Sequence, residues 1–498
     1  MWEKSLNFIV STLLSILLMI TLLGTSSDLL FNIGNSSKNS VIILNVCCII
    51  LLAFILFRNR LRKFYKKIIL PNSAKIVTIF VIFICFWQIY LIITISGFSK
   101  WDPGNIILQA MNKNQWAGKD YFSYYPNTYF LMLIEHLIWL IFGKPRIEIL
   151  SIILNTVNYL LIDSGIYILY RMCMKYFNLT VAKIAAFLAI FFIGLSPWGC
   201  FNYSDPLAFS LSIFSLYILL EVWFSNKRRI YYSILLGFLI VVDYLIKPSL
   251  VIVFIAAIIV CVPSIKQIIK NKKIIFSTIL AVGVAIISLS IYTTYRNNNN
   301  FVKFDSNKSF SMAHFANMGI KNNGAYSQEI TVRDMKIANP KERNKADIKD
   351  WITEFNKKGI TGYEIFLVKK QVLNTADTSF AWGSDGTPFI RPYNNSSFTE
   401  ISHKLFLPKY HIILKIFYDM LWILTILFLF FSFKEVNFIT LLLKYTVLGF
   451  LLFLLLFEGG RSRYMIQCLP YVFILSGVGF YQLKAIIQII WRNSINDI

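Results

Sequence analysis

The 498-residue sequence is too apolar for a soluble globular protein, because 57% of its residues are hydrophobic and only 15% are charged. Its formal net charge of +24 at pH 7 would suggest a nucleic-acid partner in a soluble protein. Most lysines and arginines, however, lie in short clusters between apolar runs, as they do in loops that orient membrane proteins. The composition therefore excludes a soluble nucleic-acid-binding protein and predicts an all-α polytopic membrane protein.

Twelve apolar runs are long enough to cross a hydrocarbon core of about 30 Å. The first run is expected to be an uncleaved span, with a signal peptide as the alternative, because no small-residue cleavage site follows it. The seven cysteines lie in or beside apolar runs, so we expect packing residues and neither a disulfide framework nor a zinc site. The runs lie at 6–23, 41–57, 76–96, 149–170, 184–199, 207–224, 230–246, 249–264, 275–293, 412–433, 438–457 and 465–483.

A further apolar run at 128–142 determines the topology. The basic cluster at 58–67 is expected in the cytoplasm, which places the loop around Asp102 on the extracytoplasmic side. If 128–142 crossed the membrane, the later basic clusters would lie outside; if it lies in the interface, they lie inside. Glu135 and His136 in its middle also favour an interfacial helix. This topology predicts cytoplasmic N- and C-termini.

The topology divides the chain into four parts. Residues 1–67 hold two N-terminal spans and a basic cytoplasmic loop, and residues 68–295 hold a membrane core with an outer loop at 97–147. Residues 296–410 form a small extracytoplasmic domain, expected to be α/β or irregular, and residues 411–498 hold the last spans. Five segments then share the outer face: the loop 97–147, the turns at 201–206, 243–249 and 458–464, and the domain 296–410.

Asp102 is the candidate catalytic residue of the outer loop. It lies just past the end of the third span, between Trp101 and Pro103. A carboxylate that is partly shielded at a helix exit can act as a general base toward a hydroxyl group. The alternative is an acidic residue that only marks the membrane boundary.

Three cations at the outer face are candidates for phosphate binding. Lys247 follows Asp243 by four residues, so either the two form an ion pair on one helical face or Lys247 binds an anionic ligand. Arg461 and Arg463 lie in a turn with Glu458, and arginine suits forked contacts with phosphate oxygens. A surface pair with Glu458 is the alternative.

The remaining candidates have weaker signals. Asp205, in the sequence NYSDP, either supports the same site or caps the following helix, and the proline after it favours capping. His314 is either a second catalytic group or, in keeping with its isolation in the sequence, a structural residue. Tyr121 and Tyr125 belong to an aromatic segment that is either an interfacial belt or a sugar-stacking surface.

In their order along the chain, these motifs resemble those of the GT-C superfamily of polyprenyl-phosphate-sugar transferases. Protein O-mannosyltransferases and lipid A aminoarabinose transferases are the most similar groups. The resemblance rests on the helix-exit acid, the segment YFSYYPN, the turn YSDP, the lysine at a helix end and the late Arg-Tyr turn before LPY. It covers the membrane part from about Lys75 to Lys484.

The resemblance implies roles for several of these residues. Asp102 would be the catalytic base, and Asp205 would shape the acceptor side. This chain departs from those relatives at one position, because they often carry a second acid directly after the first and this chain has Pro103 there. The role of the second acid would fall to Asp205 or Asp120, or to no residue. The donor phosphate would be bound by Lys247, Arg461 and Arg463.

The function that the resemblance implies is an inverting sugar transfer at the extracytoplasmic face of a bacterial plasma membrane. The donor would be a polyprenyl-phosphate sugar, and the acceptor a hydroxyl of teichoic acid, of a capsule or wall polysaccharide, or of a surface protein. The sequence shows no nucleotide fingerprint, so no cofactor is expected, and a divalent cation is not indicated. The alternatives are an envelope-polysaccharide polymerase or ligase, acting through residues of 296–410, and a lipid-intermediate flippase with charges along the bilayer centre.

Overall fold

The computed structural model describes residues 2–35, 71–97, 101–225, 227–386, 397–406 and 412–496, together with residues 60, 63, 64 and 67. These residues form helices joined by turns and loops, without a strand, which confirms the predicted all-α class. The helices of nine or more residues are α1 (Trp2–Asn35), α2 (Ser73–Ile95), α3 (Asp102–Ala110), α4 (Tyr129–Ile141), α5 (Ile147–Tyr176), α6 (Leu179–Ala189), α7 (Ser204–Phe224), α8 (Arg229–Ile246), α9 (Ile252–Cys261), α10 (Lys272–Asn298), α11 (Met312–Ile320), α12 (Gln328–Lys336), α13 (Pro340–Thr375), α14 (Ser397–Phe406), α15 (Ile412–Phe431), α16 (Phe438–Leu456) and α17 (Leu469–Asn496).

Nine helices in the described part of the chain are long and apolar enough to cross a membrane, namely α1, α2, α5, α7, α8, α10, α15, α16 and α17. Only a helix satisfies all backbone N–H and C=O groups within one apolar segment, which is why these runs fold locally. Two shorter apolar stretches, Leu179–Gly194 and Pro248–Ser264, are also helical and coincide with predicted runs. The predicted span 41–57 lies outside the described residues, so the number twelve stays a prediction.

The run that determined the predicted topology forms the short helix α4. Its 13 residues extend about 20 Å at 1.5 Å per residue, less than a hydrocarbon core of about 30 Å. Glu135 in its middle is buried against neighbouring helices. The helix therefore has the length expected of an interfacial segment, while its depth in the bilayer stays a prediction.

Helix α17 lies at the centre of the bundle. It packs against α6, α15 and α16, and its residues from 469 to 479 are all buried, as expected for a central helix. Gly479 permits the closest of these approaches, because a Cβ atom there would lie 1.7 Å from the carbonyl oxygen of Phe428 in α15. Small residues at such crossings let membrane helices pack backbone to backbone.

The described part of 296–410 is helical, which differs from the expected α/β or irregular fold. Helices α11 and α13 pack on each other, and α13 bends at Gly359, whose φ of 62° suits glycine. Beyond the bend, α13 packs along α1, and the hydroxyl groups of Thr375 and Thr21 lie 2.7 Å apart. The segment is thus joined to the membrane bundle.

We expect Gly479→Ala to lower the free energy of unfolding by about 1–3 kcal/mol, because the added methyl group overpacks the crossing of α15 and α17. Gly283→Ala in α10 is the matched control, since a Cβ atom there meets no described atom within 4 Å. Thermal unfolding of the purified protein in detergent measures both. Equal melting temperatures for the two variants would contradict the close crossing.

Candidate active site

Charged side chains from all five predicted outer segments meet at one end of the bundle. Asp102 begins α3, and the turn before α7 supplies Tyr203 and Asp205. Hydrogen bonds and ion pairs connect these residues to the turns after α8 and α16 and to the segment after α13. We call this group the polar cluster; it consists of Asp102, Tyr203, Asp205, Lys247, Asp385, Arg461 and Arg463.

Asp102 lies at the edge of the polar cluster and is half-buried. It is the first residue of α3, and Pro103 follows it in the first helical turn, where a missing N–H group costs nothing. The Tyr203 hydroxyl donates a hydrogen bond of 3.2 Å to Asp102 Oδ2. The Trp101 ring lies 4.8 Å from the guanidinium carbon of Arg463. The carboxylate is therefore held by Tyr203 at the edge of the polar cluster, and no described ion pair joins it to a cation.

Asp205 is the fully buried centre of the polar cluster, with an exposure of 0%. Its Oδ1 lies 2.5 Å from Lys247 Nζ, and its Oδ2 lies 3.6 Å from Arg463 Nε. The predicted capping role is not observed, because Tyr203 is the N-cap residue of α7 and Asp205 lies inside the first turn. The carboxylate instead serves as the counter-ion of two cations.

The predicted ion pair between Asp243 and Lys247 is wrong. Helix α8 ends at Ile246, and Lys247 has an extended backbone with φ of −160°, so the two side chains do not share a helical face. Lys247 pairs with Asp205, whereas Asp243 accepts a hydrogen bond of 2.6 Å from Ser215 inside the bundle. Asp243 is thus an interhelical packing residue and lies apart from the polar cluster.

The two arginines of the last turn differ in exposure. The Arg463 side chain is 4% exposed and lies among aromatic rings, including that of Tyr464 at 5.2 Å. The Arg461 side chain is 35% exposed. Neither forms the alternative pair with Glu458, which accepts a hydrogen bond of 3.1 Å from Tyr464 and whose pKa is raised by burial. Both pair with Asp385, in each case at 3.3 Å.

Helix α13 fixes the backbone that leads into the arginine turn. The Lys370 ammonium donates to the carbonyl oxygens of Leu455 at 3.0 Å and Phe457 at 2.6 Å, so it satisfies acceptors left free at the end of α16. The Asn374 side-chain oxygen accepts a hydrogen bond of 2.6 Å from the Gly460 N–H group. Segment 296–410 therefore positions the arginines as well as contributing a residue to the cluster.

Asp385 and Tyr203 are members of the polar cluster that were not predicted as site residues. Asp385 lies in the sequence WGSDGT, and the chain just before it contacts the arginine turn, where Ser462 donates a hydrogen bond of 3.0 Å to Asp377. A usable signal was present, because two arginines in one outer turn require acidic counter-charge from elsewhere in the chain. The glycine-rich aromatic context of Asp385 gave no hint of that pairing.

The two tyrosines of the predicted aromatic segment lie inside the protein, next to Asp102. Their rings are 5.3 Å apart, and Tyr121 is buried. Burial, and secondarily the nearby Asp102 carboxylate, raises the pKa of Tyr121 well above its usual value. Burial also raises the pKa of Tyr125. The position of the two tyrosines inside the protein does not fit an interfacial belt. It places both residues next to the Asp102 carboxylate.

His314 lies in a separate buried network. Its Nδ1 is 2.5 Å from Asp334 Oδ2, and its ring stacks on Phe310 at 3.9 Å. His314, Asp334 and Asp347 offer one ligand atom each within 4.8 Å of one another, which is close enough for a metal ion. Arg333, however, pairs with both carboxylates and already supplies the cation. The network therefore fits a structural ion-pair cluster better than a metal site.

Fold and site together define the class of the protein: a helical membrane protein with a charged, partly buried site at one end of its bundle. The chain belongs to the family described as conserved hypothetical integral membrane proteins, which matches residues 2–483. No curated protein matches the sequence.

Two solved structures are similar at a low level. One is the archaeal oligosaccharyltransferase AglB from Archaeoglobus fulgidus in complex with an inhibitory peptide and a dolichol-phosphate, at 12% identity and a TM-score of 0.42, with 83% of this chain and 51% of that chain covered. The other is the Archaeoglobus fulgidus oligosaccharyltransferase in the apo form, at 11% identity and a TM-score of 0.42, with 87% and 53% covered. The chain thus spans about half the length of both. Likeness at this level assigns neither activity nor ligand to this chain.

We expect Asp205→Asn to lower the free energy of unfolding by about 3–5 kcal/mol, because it leaves Lys247 without its counter-ion and the buried Arg463 with Asp385 alone. Asp120→Asn is the matched control. Asp120 pairs with Lys308 at 2.8 Å on the surface, where such a pair contributes about 0–1 kcal/mol. Thermal unfolding in detergent compares the two. A melting temperature of Asp205→Asn equal to that of the control would show that the buried pair is not needed.

Proposed function

We propose that the protein is a glycosyltransferase that moves a sugar from a polyprenyl-phosphate donor to a hydroxyl group of a cell-envelope acceptor. The reaction would take place at the extracytoplasmic face of a bacterial plasma membrane and would invert the anomeric carbon. The observation that carries the proposal is the placement of a half-buried carboxylate, Asp102, in one polar cluster with three cations, to which Tyr203 connects it. A base next to a phosphate-binding surface is what this transfer needs.

In the proposed reaction Asp102 accepts the proton of the acceptor hydroxyl. The oxygen attacks the anomeric carbon from the face opposite the phosphate, a new glycosidic bond forms, and the bond to the phosphate oxygen breaks. Its electrons remain on the departing phosphate, whose growing charge the cations stabilise. Tyr203 orients the carboxylate through its hydrogen bond of 3.2 Å. No residue needs to become covalently attached to the sugar.

The charges of the polar cluster suit an anionic ligand. Three cations pair with two carboxylates, Asp205 and Asp385, and no described ion pair joins the third carboxylate, Asp102, to a cation, so the paired groups alone carry one excess positive charge. Arg461 is the most exposed of the cations and contacts Asp385 at 3.3 Å. A guanidinium group has five N–H donors, and because Arg461 is more exposed than Arg463, its donors are the more accessible ones for phosphate oxygens.

The alternatives find less support in the site. A polymerase or ligase acting through His314 would need an accessible imidazole, whereas His314 is fully buried beside Asp334. A flippase would need charges along the centre of the bundle. Asp163 of α5 is held by a hydrogen bond of 2.9 Å from Gln88 and Asp243 of α8 by one of 2.6 Å from Ser215, and the polar cluster lies at one end.

Asp102→Asn should lower the rate of sugar transfer by about 10²–10⁴-fold, the usual contribution of a general base. Membranes containing the wild-type protein, Asp102→Asn or Asp120→Asn receive a panel of radiolabelled polyprenyl-phosphate sugars, with protein abundance checked in each. Asp120→Asn is the control for an acid in the same loop that lies on the surface. Wild-type transfer by Asp102→Asn at equal abundance would remove Asp102 from the mechanism.

For Arg461→Gln we expect an increase in the KM for the polyprenyl-phosphate sugar of about 10–100-fold, because charge-assisted hydrogen bonds contribute about 1.5–3 kcal/mol. Arg296→Gln is the matched control, since Arg296 lies over the Phe304 ring at 4.0 Å, apart from the polar cluster. Initial rates across donor concentrations give both values. An unchanged KM for Arg461→Gln would rule out its contact with the donor phosphate.

A further inference from the structure

A cavity of about 170 Å³ lies between helices α4, α5, α7 and α8, next to the polar cluster. Three of these helices line it with side chains at the spacing i, i+3, i+4 and i+7, as Leu207, Ser210, Leu211 and Phe214 of α7 do. Most of the lining side chains are leucine, isoleucine or valine. Tyr203 also lines the cavity, and its hydroxyl group donates to Asp102. The cavity therefore reaches the residue that orients the proposed base.

Three buried polar atoms of cavity-lining residues have no hydrogen-bond partner among the described residues: Glu135 Oε2, Asn202 Oδ1 and Ser210 Oγ. All three side chains are nearly inaccessible, with exposures of 3%, 3% and 1%. The Asn202 amide nitrogen donates to Ser151 Oγ at 3.1 Å, which fixes the orientation of the amide and leaves its oxygen as an acceptor. Buried polar atoms in native proteins are nearly always paired, so three unpaired atoms on residues around one cavity offer hydrogen-bonding positions to a ligand.

The chemistry of the lining restricts that ligand. A hydrocarbon chain alone, such as a prenyl tail, would fill the apolar walls and leave all three polar atoms unpaired. Burial raises the pKa of Glu135 well above its usual value, which favours the neutral carboxyl group, and that group can both donate and accept. No cation lines the cavity, which disfavours an anionic head group. The requirement is an apolar body with uncharged hydrogen-bonding groups.

We propose that this cavity binds a neutral lipid with free hydroxyl groups, which bond to Glu135, Asn202 and Ser210 while an acyl chain lies along the apolar walls. Because Tyr203 belongs both to the cavity wall and to the contact with Asp102, the bound lipid is next to the proposed base. We infer that it is the acceptor of the transfer, and this second step rests on the proposed function.

Binding of 1-oleoylglycerol to the purified full-length chain, measured by native mass spectrometry from detergent, tests the site. Methyl oleate, which lacks hydroxyl groups, and glycerol, which lacks the chain, are the comparison ligands. We expect 1-oleoylglycerol to bind at least tenfold more tightly than either. Equal affinity for methyl oleate would show a purely apolar cavity, and equal affinity for glycerol would show a polyol site; both overturn the proposal.

Substitutions at the unpaired polar atoms test whether those atoms determine the affinity for 1-oleoylglycerol. Glu135→Leu and Ser210→Ala should weaken 1-oleoylglycerol binding at least tenfold and threefold, respectively, without changing the affinity for methyl oleate. Glu135→Gln keeps an uncharged donor and acceptor and should bind as the wild type does. Ser164→Ala is the matched serine control, because Ser164 is exposed and donates to Leu160 O within its own helix. Wild-type affinity of Glu135→Leu, at a wild-type melting temperature, would overturn the proposal.

A transfer assay separates the binding site from the acceptor role. If 1-oleoylglycerol binds and is glycosylated by wild-type membranes but not by Asp102→Asn, both steps hold. If it binds while sugar is transferred only to other acceptors, the acceptor role is overturned. If sugar transfer is observed and 1-oleoylglycerol does not bind, the lipid site is overturned and the proposed function stands.

Discussion

The buried carboxylate of Asp205 is the contact on which the rest of the site depends. A charge removed from water is tolerated only with close partners, and Asp205 has two, Lys247 and Arg463. The three residues come from the start of α7, the end of α8 and the turn before α17. Their pairing therefore fixes the relative positions of three chain segments that are distant in sequence. Asp102, on a fourth segment, is then positioned through Tyr203 and through the contact of Trp101 with Arg463.

A second set of contacts makes segment 296–410 part of the site. Lys370 and Asn374 hold the backbone before the arginine turn, and Asp385 shares its carboxylate between Arg461 and Arg463. With Asp205 engaged by Lys247 and Arg463, Asp385 is the counter-ion that keeps the two arginines side by side. Mutual repulsion of adjacent guanidinium groups is thereby offset. Through Asp385, the helical segment thus contributes to the net charge of the polar cluster.

The sequence was sufficient wherever structure is determined locally. The apolar runs predicted helices, because backbone groups in hydrocarbon must pair within their own segment. The distribution of lysine and arginine along the chain predicted that Asp102, Lys247 and the two arginines lie at the same end of the bundle. The sequence failed where one residue decides a boundary: α8 stops at Ile246, so the expected partner of Lys247 was replaced by Asp205. The pairing of Asp385 with the arginines could not be predicted either, because ion pairs between segments that are distant in sequence produce no periodic pattern.

The start of α7 connects the two parts of the site. Tyr203 donates to Asp102, lines the apolar cavity and lies 5.6 Å from the Arg463 guanidinium carbon, whereas Asp205, two residues later, pairs with Lys247 and Arg463. In the proposed reaction, a proton acceptor and a phosphate-binding surface act on one substrate, yet a direct ion pair between them would neutralise both. The described contacts meet this condition, since Asp205 and Asp385 pair with the cations while the half-buried Asp102 accepts a hydrogen bond from the Tyr203 hydroxyl. In that proposal the reactivity of Asp102 depends on Asp205, because Asp205 pairs with Lys247 and Arg463 and Asp102 has no ion pair among the described contacts.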